Sequence, residues 1–533
     1  MNSGGSMKER PCDNSRVRML VPLLLLLAAP LQAGHPPLPD LLTRAQQRLE
    51  ASDRSGARRE LTEALRLYPA SATVHNFLGV LEAQEGNYRA AEARFHEAIG
   101  RRPQYTDAYL NLGRLYQENP GKDEQAVRKG LAAYEAVLHY QPDHAEARYQ
   151  SAALLRVLGE FGRSLEHLAR LSPGDQERPS ALAIRCADHA GRGERAEADR
   201  AAERLLGRAD LVEADVQPIL PTLAAHGRQD LALRLLEALR ARGLASGDGL
   251  QGLGRLYEGE KRLDEARAVL EEAARARPIA VEVLLDLARV AHKGRDYRGA
   301  LGYLAHARDL KAGDARIHFF FGMVCVDLDL GVEAYNSLKE AVRLEPDNPA
   351  FNYALGATAL HQRFPGEAIP YFRKYSELKP EDPRGSMGVG IAAYKSGDFA
   401  TARAELARAA AHGETAAGAY YFLARMARDE NDLEEALRLA QKAVDAKPDY
   451  PDPYAELGLL HLRKRELERA EQALRRCLEL DPDNYLGNFH LLMLYERTKD
   501  PRQEAQAQRF EEIKRRHEQK AEEFLRLIEV RPY

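Results

Sequence analysis

The sequence predicts an all-α fold built from repeated helical hairpins, and three periodic features predict it. A column of small side chains steps by 34 residues from Ala470 back through Ala436, Ala402, Ala368, Ala334, Ala300, Ala266, Ala232, Ala198 and Ser164 to Gly130, and it resumes at Ala91 and Ala57. A second, mostly small column stands twelve residues earlier, at Gly79, Ala152, Gly254, Ala288, Gly322, Gly356, Gly390, Ala424 and Gly458. Proline stands twelve residues after the first column, at Pro69, Pro103, Pro142, Pro278, Pro346, Pro380, Pro448 and Pro482.

Each element of the hairpin follows from these columns. In ELERAEQALRRCLELDPDN, Glu466 to Asn484, the residues Leu467, Ala470, Ala473, Leu474 and Cys477 fall three or four apart and share one helical face, with Glu and Arg on the other. Asp-Pro-Asp-Asn ends that helix, because proline disfavours helical geometry at the residue before it and donates no backbone hydrogen bond. Between the two small columns lie EGNY, KGRDY, KSGDF and ENDL, where Gly or Asn ends one helix and Asn87, Asp296, Asp398 or Asp432 caps the next. Asp432 with Glu435 has the spacing of a capping box. Small residues on both helices let two backbones approach, and large groups four residues on, such as Phe95, Tyr134, Leu270, Leu304, Phe372 and Leu474, fill the rim of that contact. Leucine at Ala470 is expected to push the helices apart at a cost of about 1 to 3 kcal/mol.

A 34-residue helix-turn-helix unit with these columns resembles the tetratricopeptide repeat family over about residues 38 to 500. The resemblance implies a right-handed α-solenoid of about 13 repeats, in which stacking on neighbours supplies the stability that one hairpin lacks. The organisation expected is a leader at 1–33, N-terminal repeats at 34–144, divergent repeats at 145–246, regular repeats at 247–484, and a partial repeat with a charged capping helix at 485–533. The third repeat carries five extra residues in QENPGKDEQAVRKG, expected as a longer loop. In the divergent part Cys186 and Leu220 replace the glycine, and Pro218 and Pro221 interrupt a first helix. In the closing segment Phe510, Ile513, Phe524, Leu527 and Ile528 are the apolar groups of one or two helices, expected to cover the end of the array or to form a coiled-coil contact.

Composition narrows the function. The chain has 533 residues, 44% apolar and 30% charged, no tryptophan and a net charge of -4, which lacks the basic footprint of a nucleic-acid binder. Arg16 and Arg18 precede MLVPLLLLLAAP and then LQAG, with Ala33 before the expected cleavage point, which has the form of a secretory signal peptide. The run is short for a membrane span, so the mature chain is expected to be periplasmic or secreted, with tethering by an uncleaved leader as the alternative. Cys186, Cys325 and Cys477 are far apart and without metal-ligand spacing, and are expected as small core residues.

Catalytic motifs fail on context. Gly247, Gly249 and Gly252 match a dinucleotide-binding pattern but open the first helix of a repeat instead of following a strand. Asp327 and Asp329 fall at a hairpin turn and are expected as caps. The sixteen histidines show no ligand spacing, and HExxH, GxSxG, Walker A and CxxC are absent from the sequence. No enzyme, cofactor or metal site is expected.

The family resemblance implies that first helices line a concave groove that binds extended peptides or partner helices. The groove residues it assigns are Phe319, Met323, Tyr353, Leu360, Met387, Ile391, Tyr394, Tyr421, Arg425 and Arg428, joined by Val326, Leu459, Leu462, Phe489 and Met493. This strip is expected as an exposed apolar surface, with Arg425 and Arg428 holding a carboxylate or carbonyl. Arg114, Arg156, Arg255 and Arg289 imply a more basic groove in earlier repeats, and Asn76 and Asn111 do not rebuild the carboxylate clamp of chaperone-binding relatives. The reading is an exported scaffold for protein partners, in envelope or secretion assembly, without nucleic acid or a stable membrane span. Its rival is an accessory subunit of a polysaccharide machine, and a third reading is self-association through the final helix.

Overall fold

The structure, a computed structural model, describes residues 36–118, 124–275 and 278–527, with side chains as far as Arg516. The predicted leader, the side chains of Phe524 and Leu527, and Ile528 lie outside the described residues. The described residues are helical, without a strand. They alternate as expected, for example Ala72–Gln84 with Tyr88–Arg101 and Pro451–Arg463 with Leu467–Leu480. The chain divides into two compact units between Tyr257 and Glu258. Each is an α-solenoid of stacked hairpins.

The small columns account for the hairpins. Every member of the first column is buried, from Ala57 to Ala470. The large residue four positions on does not sit at the rim, as expected, but against the bare glycine of the facing helix. A Cβ added to Gly458 would lie 2.5 Å from Leu474, one added to Gly390 2.6 Å from Leu406, and one added to Gly79 2.6 Å from Phe95. The missing methyl is the socket for the knob.

The turns carry a column of their own. Gly86, Gly159, Gly193, Gly227 and Gly397 have positive φ, and in the same register so do Ser52, Lys261, Arg295, Asp329, Arg363, Asn431, Arg465 and Lys499. Asp296, Asp398 and Asp432 then accept from the backbone N–H three residues on, at 2.9, 3.1 and 3.1 Å. Two expectations fail here. Asn87 makes no cap bond and gives its amide to Glu82 at 2.9 Å. Asp327 and Asp329 do not cap either: Asp329 is the left-handed residue itself, with φ 58°, and Asp327 holds His292 at 2.6 Å. Only half of the capping box forms, because the Glu435 carboxylate turns to Arg438 at 2.7 Å.

A further column went unread in the sequence. In several repeats the side chain six residues after the proline position, on the next first helix, reaches back to that carbonyl. His75 pairs with Pro69 O at 3.1 Å, His318 with Ala312 O at 2.8 Å, and the amides of Asn352 and Asn488 donate to Pro346 O and Pro482 O at 2.8 and 3.1 Å. These carbonyls lie two residues beyond the helix ends Leu67, Leu310, Leu344 and Leu480, and the side chains give them a partner.

Irregularities fall where expected, with one difference. The third repeat's second helix, Glu124–Tyr140, has 17 residues against 14 in regular repeats such as Leu467–Leu480. The insertion therefore lengthens the helix, and the expected longer loop, at 119–123, lies outside the described residues. In the divergent part, Phe161–Ala169 is cut to 9 residues. There the first helix breaks into Glu213–Val216, a 3-10 turn Gln217–Ile219 and Leu220–Ala225, at the two prolines. The end of the array is covered by one helix, Gln503–Leu527, which buries Phe510 and Ile513. Phe510 meets Tyr485 and Phe489 at ring distances of 5.0 and 5.5 Å. Cys186, Cys325 and Cys477 are buried free thiols, each pushed up to about 12 by burial. Among the described residues no helix is long and apolar enough to cross a membrane.

Candidate functional site, a groove in the second unit

First helices of the second unit place the predicted groove residues side by side. Tyr353 and Leu360 come from Pro349–His361, and Met387 and Ile391 from Arg384–Ser396. The four converge on one pocket of about 500 Å³, floored by Phe372. A second pocket of about 570 Å³, between Val326 and Thr358, shares Ala357 and His361 with it, so the depression continues toward Ala315–Asp327.

The pocket has a charged rim that the sequence reading missed. Arg384, His361, Lys395 and Glu414 line it. Arg384 lies over the Tyr353 ring at 5.4 Å and is held by Asp382 at 2.5 Å. That pair keeps the Asp382 carboxyl well below its usual range. Lys395 is exposed and pairs with no carboxylate among the described residues. The signal for these groups was available: Arg384 and Lys395 are the first and penultimate basic ends of a helix whose middle is Gly, Met, Val and Ile.

The remaining predicted residues do not join this pocket. Phe319 and Met323 are half-buried, and Phe319 stacks on Phe351 at 4.7 Å. Tyr421 is only 4% exposed, and burial pushes its hydroxyl up to about 12. Arg425 lies over Tyr394, Tyr421 and Phe422, at 5.7, 5.6 and 5.8 Å from the ring centres. Arg428 grips both oxygens of buried Glu456, at 2.7 and 2.8 Å. Burial raises the Glu456 carboxyl, with Arg428 opposing. These corrections share one reason. Neighbouring first helices lie close enough for rings and guanidinium groups to bridge them, so the apolar strip is largely consumed in packing between repeats, and Arg428 has no fork left for a ligand carboxylate. Leu462 is likewise buried, and only Val326, Phe489 and Met493 of the strip are exposed, at 42, 39 and 40%.

Two of the four arginines expected to make the earlier groove basic, Arg114 and Arg289, are neutralised by carboxylates. In the first unit Arg114 pairs with Glu146, and Asn111 donates to Asn76 at 3.1 Å with both amides buried. In the second unit Arg289 holds Glu258 through two bonds of 2.7 Å. No cluster of metal-binding side chains occurs among the described residues.

Family profiles agree with this architecture. One tetratricopeptide repeat profile matches residues 42–88, 81–127, 252–315, 333–383 and 390–451, and a second matches 427–490. The curated BBSome complex member BBS4 of Bos taurus is 19% identical over 60% of this chain; the chain spans 53% of that relative's length. A solved tetratricopeptide repeat protein from Parabacteroides merdae is 16% identical, with a TM-score of 0.39 over 46% of this chain and 98% of that one. Yeast Tom70 is 17% identical, with a TM-score of 0.37 over 83% of this chain and 91% of that one. With family profiles matching more than half of its length, the chain belongs to the tetratricopeptide repeat family, whose members serve as scaffolds for protein partners.

Proposed function

We propose that this chain is a non-enzymatic scaffold, exported by its N-terminal leader, that holds an extended peptide segment of a protein partner in the groove of the second unit during assembly of an envelope or secretion complex. The observation that carries the reading is the convergence of Tyr353, Leu360, Met387 and Ile391 on one pocket with Arg384 and Lys395 at its rim. Apolar pockets beside fixed cations suit a peptide with large side chains and an acidic residue. A glycan platform would show exposed rings with neighbouring carboxylates, and here Tyr353 is half-buried under a guanidinium. The export reading rests on the sequence run ending at Ala33.

Crosslinked capture of the mature chain from its native envelope, followed by mass spectrometry, tests both parts. The expected outcome is a chain starting at Gly34 and a protein partner lost on combined Leu360→Ala, Met387→Ala and Lys395→Glu substitution, with each side chain worth about 1 to 2 kcal/mol. Retention of the partner by that variant with unchanged helical content would rule out the groove. An intact leader would rule out cleavage.

A further inference from the structure

The first unit contains a cavity that the regular repeat pattern does not produce. Pro218 and Pro221 break a first helix, and the broken segment folds toward the helix Ala145–Val157 two repeats earlier, where Thr222 accepts a hydrogen bond from Arg156 at 2.9 Å. Between them lies a space of about 460 Å³. That is the size of pockets that take small organic ligands, not extended chains. Val157, 58% exposed, stands at its mouth.

Its walls are mostly apolar, with Val127, Leu154, Ile184 and Ile219, and its polar lining includes Tyr149, Arg156, Ser180 and Asp215. Arg156 is only 8% exposed, yet among the described residues it forms no ion pair and its Nε has no hydrogen-bond partner. A guanidinium offers five donors, and one bond to a hydroxyl leaves a buried cation unsatisfied. Tyr149 and Ser180 line the same wall. Two acids limit the charge that the site tolerates. Asp215 lines the cavity, and Asp188, fully buried with both oxygens unpartnered, lies close enough to Arg156 to feel its charge. A phosphate dianion would meet one cation and two acids, whereas a single negative charge on an apolar body matches both the lone guanidinium and the aliphatic walls.

We propose that this cavity binds a compact monocarboxylate with an apolar body, the carboxylate meeting Arg156 and the body lying against Val127, Ile184 and Ile219. The same chemistry is presented by a free acid and by the C-terminal residue of a peptide. Isothermal titration of the full chain distinguishes them, using 3-phenylpropionate, its neutral amide, and a tripeptide ending in phenylalanine with a free or amidated terminus. The acid, or the free-ended peptide, is expected to bind at least tenfold more tightly than its amide. Arg156→Gln is expected to lose that binding by at least tenfold. Ala153→Phe, which fills the cavity from its half-buried wall while keeping Arg156, should lose it too, and decides the matter alone if Arg156→Gln does not fold. Binding by the acid locates a free ligand, and binding by the peptide only locates a chain end. Equal affinity for acid and amide, undiminished binding in the variants, or no saturable binding of either probe overturns the proposal.

Discussion

At the scale of single residues, the fold depends on where methyl groups are withheld. Gly390 faces Leu406 with no room for a Cβ, whereas Gly302, exposed within the helix Tyr297–Leu310, has nothing within 4 Å. The same change should therefore act in opposite directions. Gly390→Ala overpacks the hairpin and should lower stability by about 1 kcal/mol or more despite its better helix propensity, while Gly302→Ala should raise it by about 0.5 to 1 kcal/mol; chemical denaturation of the two variants reads the difference. Asp188 makes a second residue-level prediction. Burial raises its carboxyl to about 7, with Arg156 opposing. From about pH 4 to 7 the folded chain keeps a proton that the unfolded chain releases, so stability falls as pH rises through that window and levels off above it. The loss attributable to Asp188 amounts to about 4 kcal/mol at most. Denaturation midpoints at pH 5 and pH 8 should differ less in Asp188→Asn than in the parent.

At the scale of elements, the hairpin turn is the point of stored strain. Every regular turn asks for a left-handed residue, and eight of these described positions carry a side chain, Arg465 with φ 62° among them. Left-handed geometry costs an L-residue about 1 to 2 kcal/mol. After allowance for the greater freedom of unfolded glycine, Arg465→Gly should stabilise by about 0.5 to 1 kcal/mol and Gly397→Ala should destabilise by at least as much, both measurable as shifts in thermal midpoint. Elements were the most legible level of the sequence. Hairpins, their register, the interruption at Pro218 and Pro221 and the burial of three cysteines follow from small residues and prolines, because steric exclusion acts on residue type at fixed spacing. The failed caps were illegible for a different reason. Asp327 and Asp329 are within one turn of a capping position, and only the backbone register decides that one becomes the left-handed residue and the other an ion partner. His75, His318, Asn352 and Asn488 look unrelated as letters, although all serve one carbonyl position.

At the scale of the whole molecule, repeated packing sets what remains for binding. The register identified which residues share the inner face of the second unit, and four of them, Tyr353, Leu360, Met387 and Ile391, do line one pocket. It did not reveal that Tyr421, Arg425 and Arg428 are spent on holding neighbouring repeats together, because the sequence gives the face of a helix but not the distance to the next helix. Buried Glu456 is the partner that Arg428 holds in this structure. The cations at the pocket rim are Arg384 and Lys395, which the proposed function gives the part expected of Arg425 and Arg428, and the apolar strip is reduced to a localised pocket instead of a continuous exposed surface. The most direct test places the photo-crosslinking residue benzoylphenylalanine at Met387, in the pocket, and in a separate chain at Ala407, exposed on the second helix Phe399–Ala410. A discrete protein adduct from Met387 and none from Ala407 is the predicted result; equal adducts from both positions, or adducts from Ala407 alone, would contradict it.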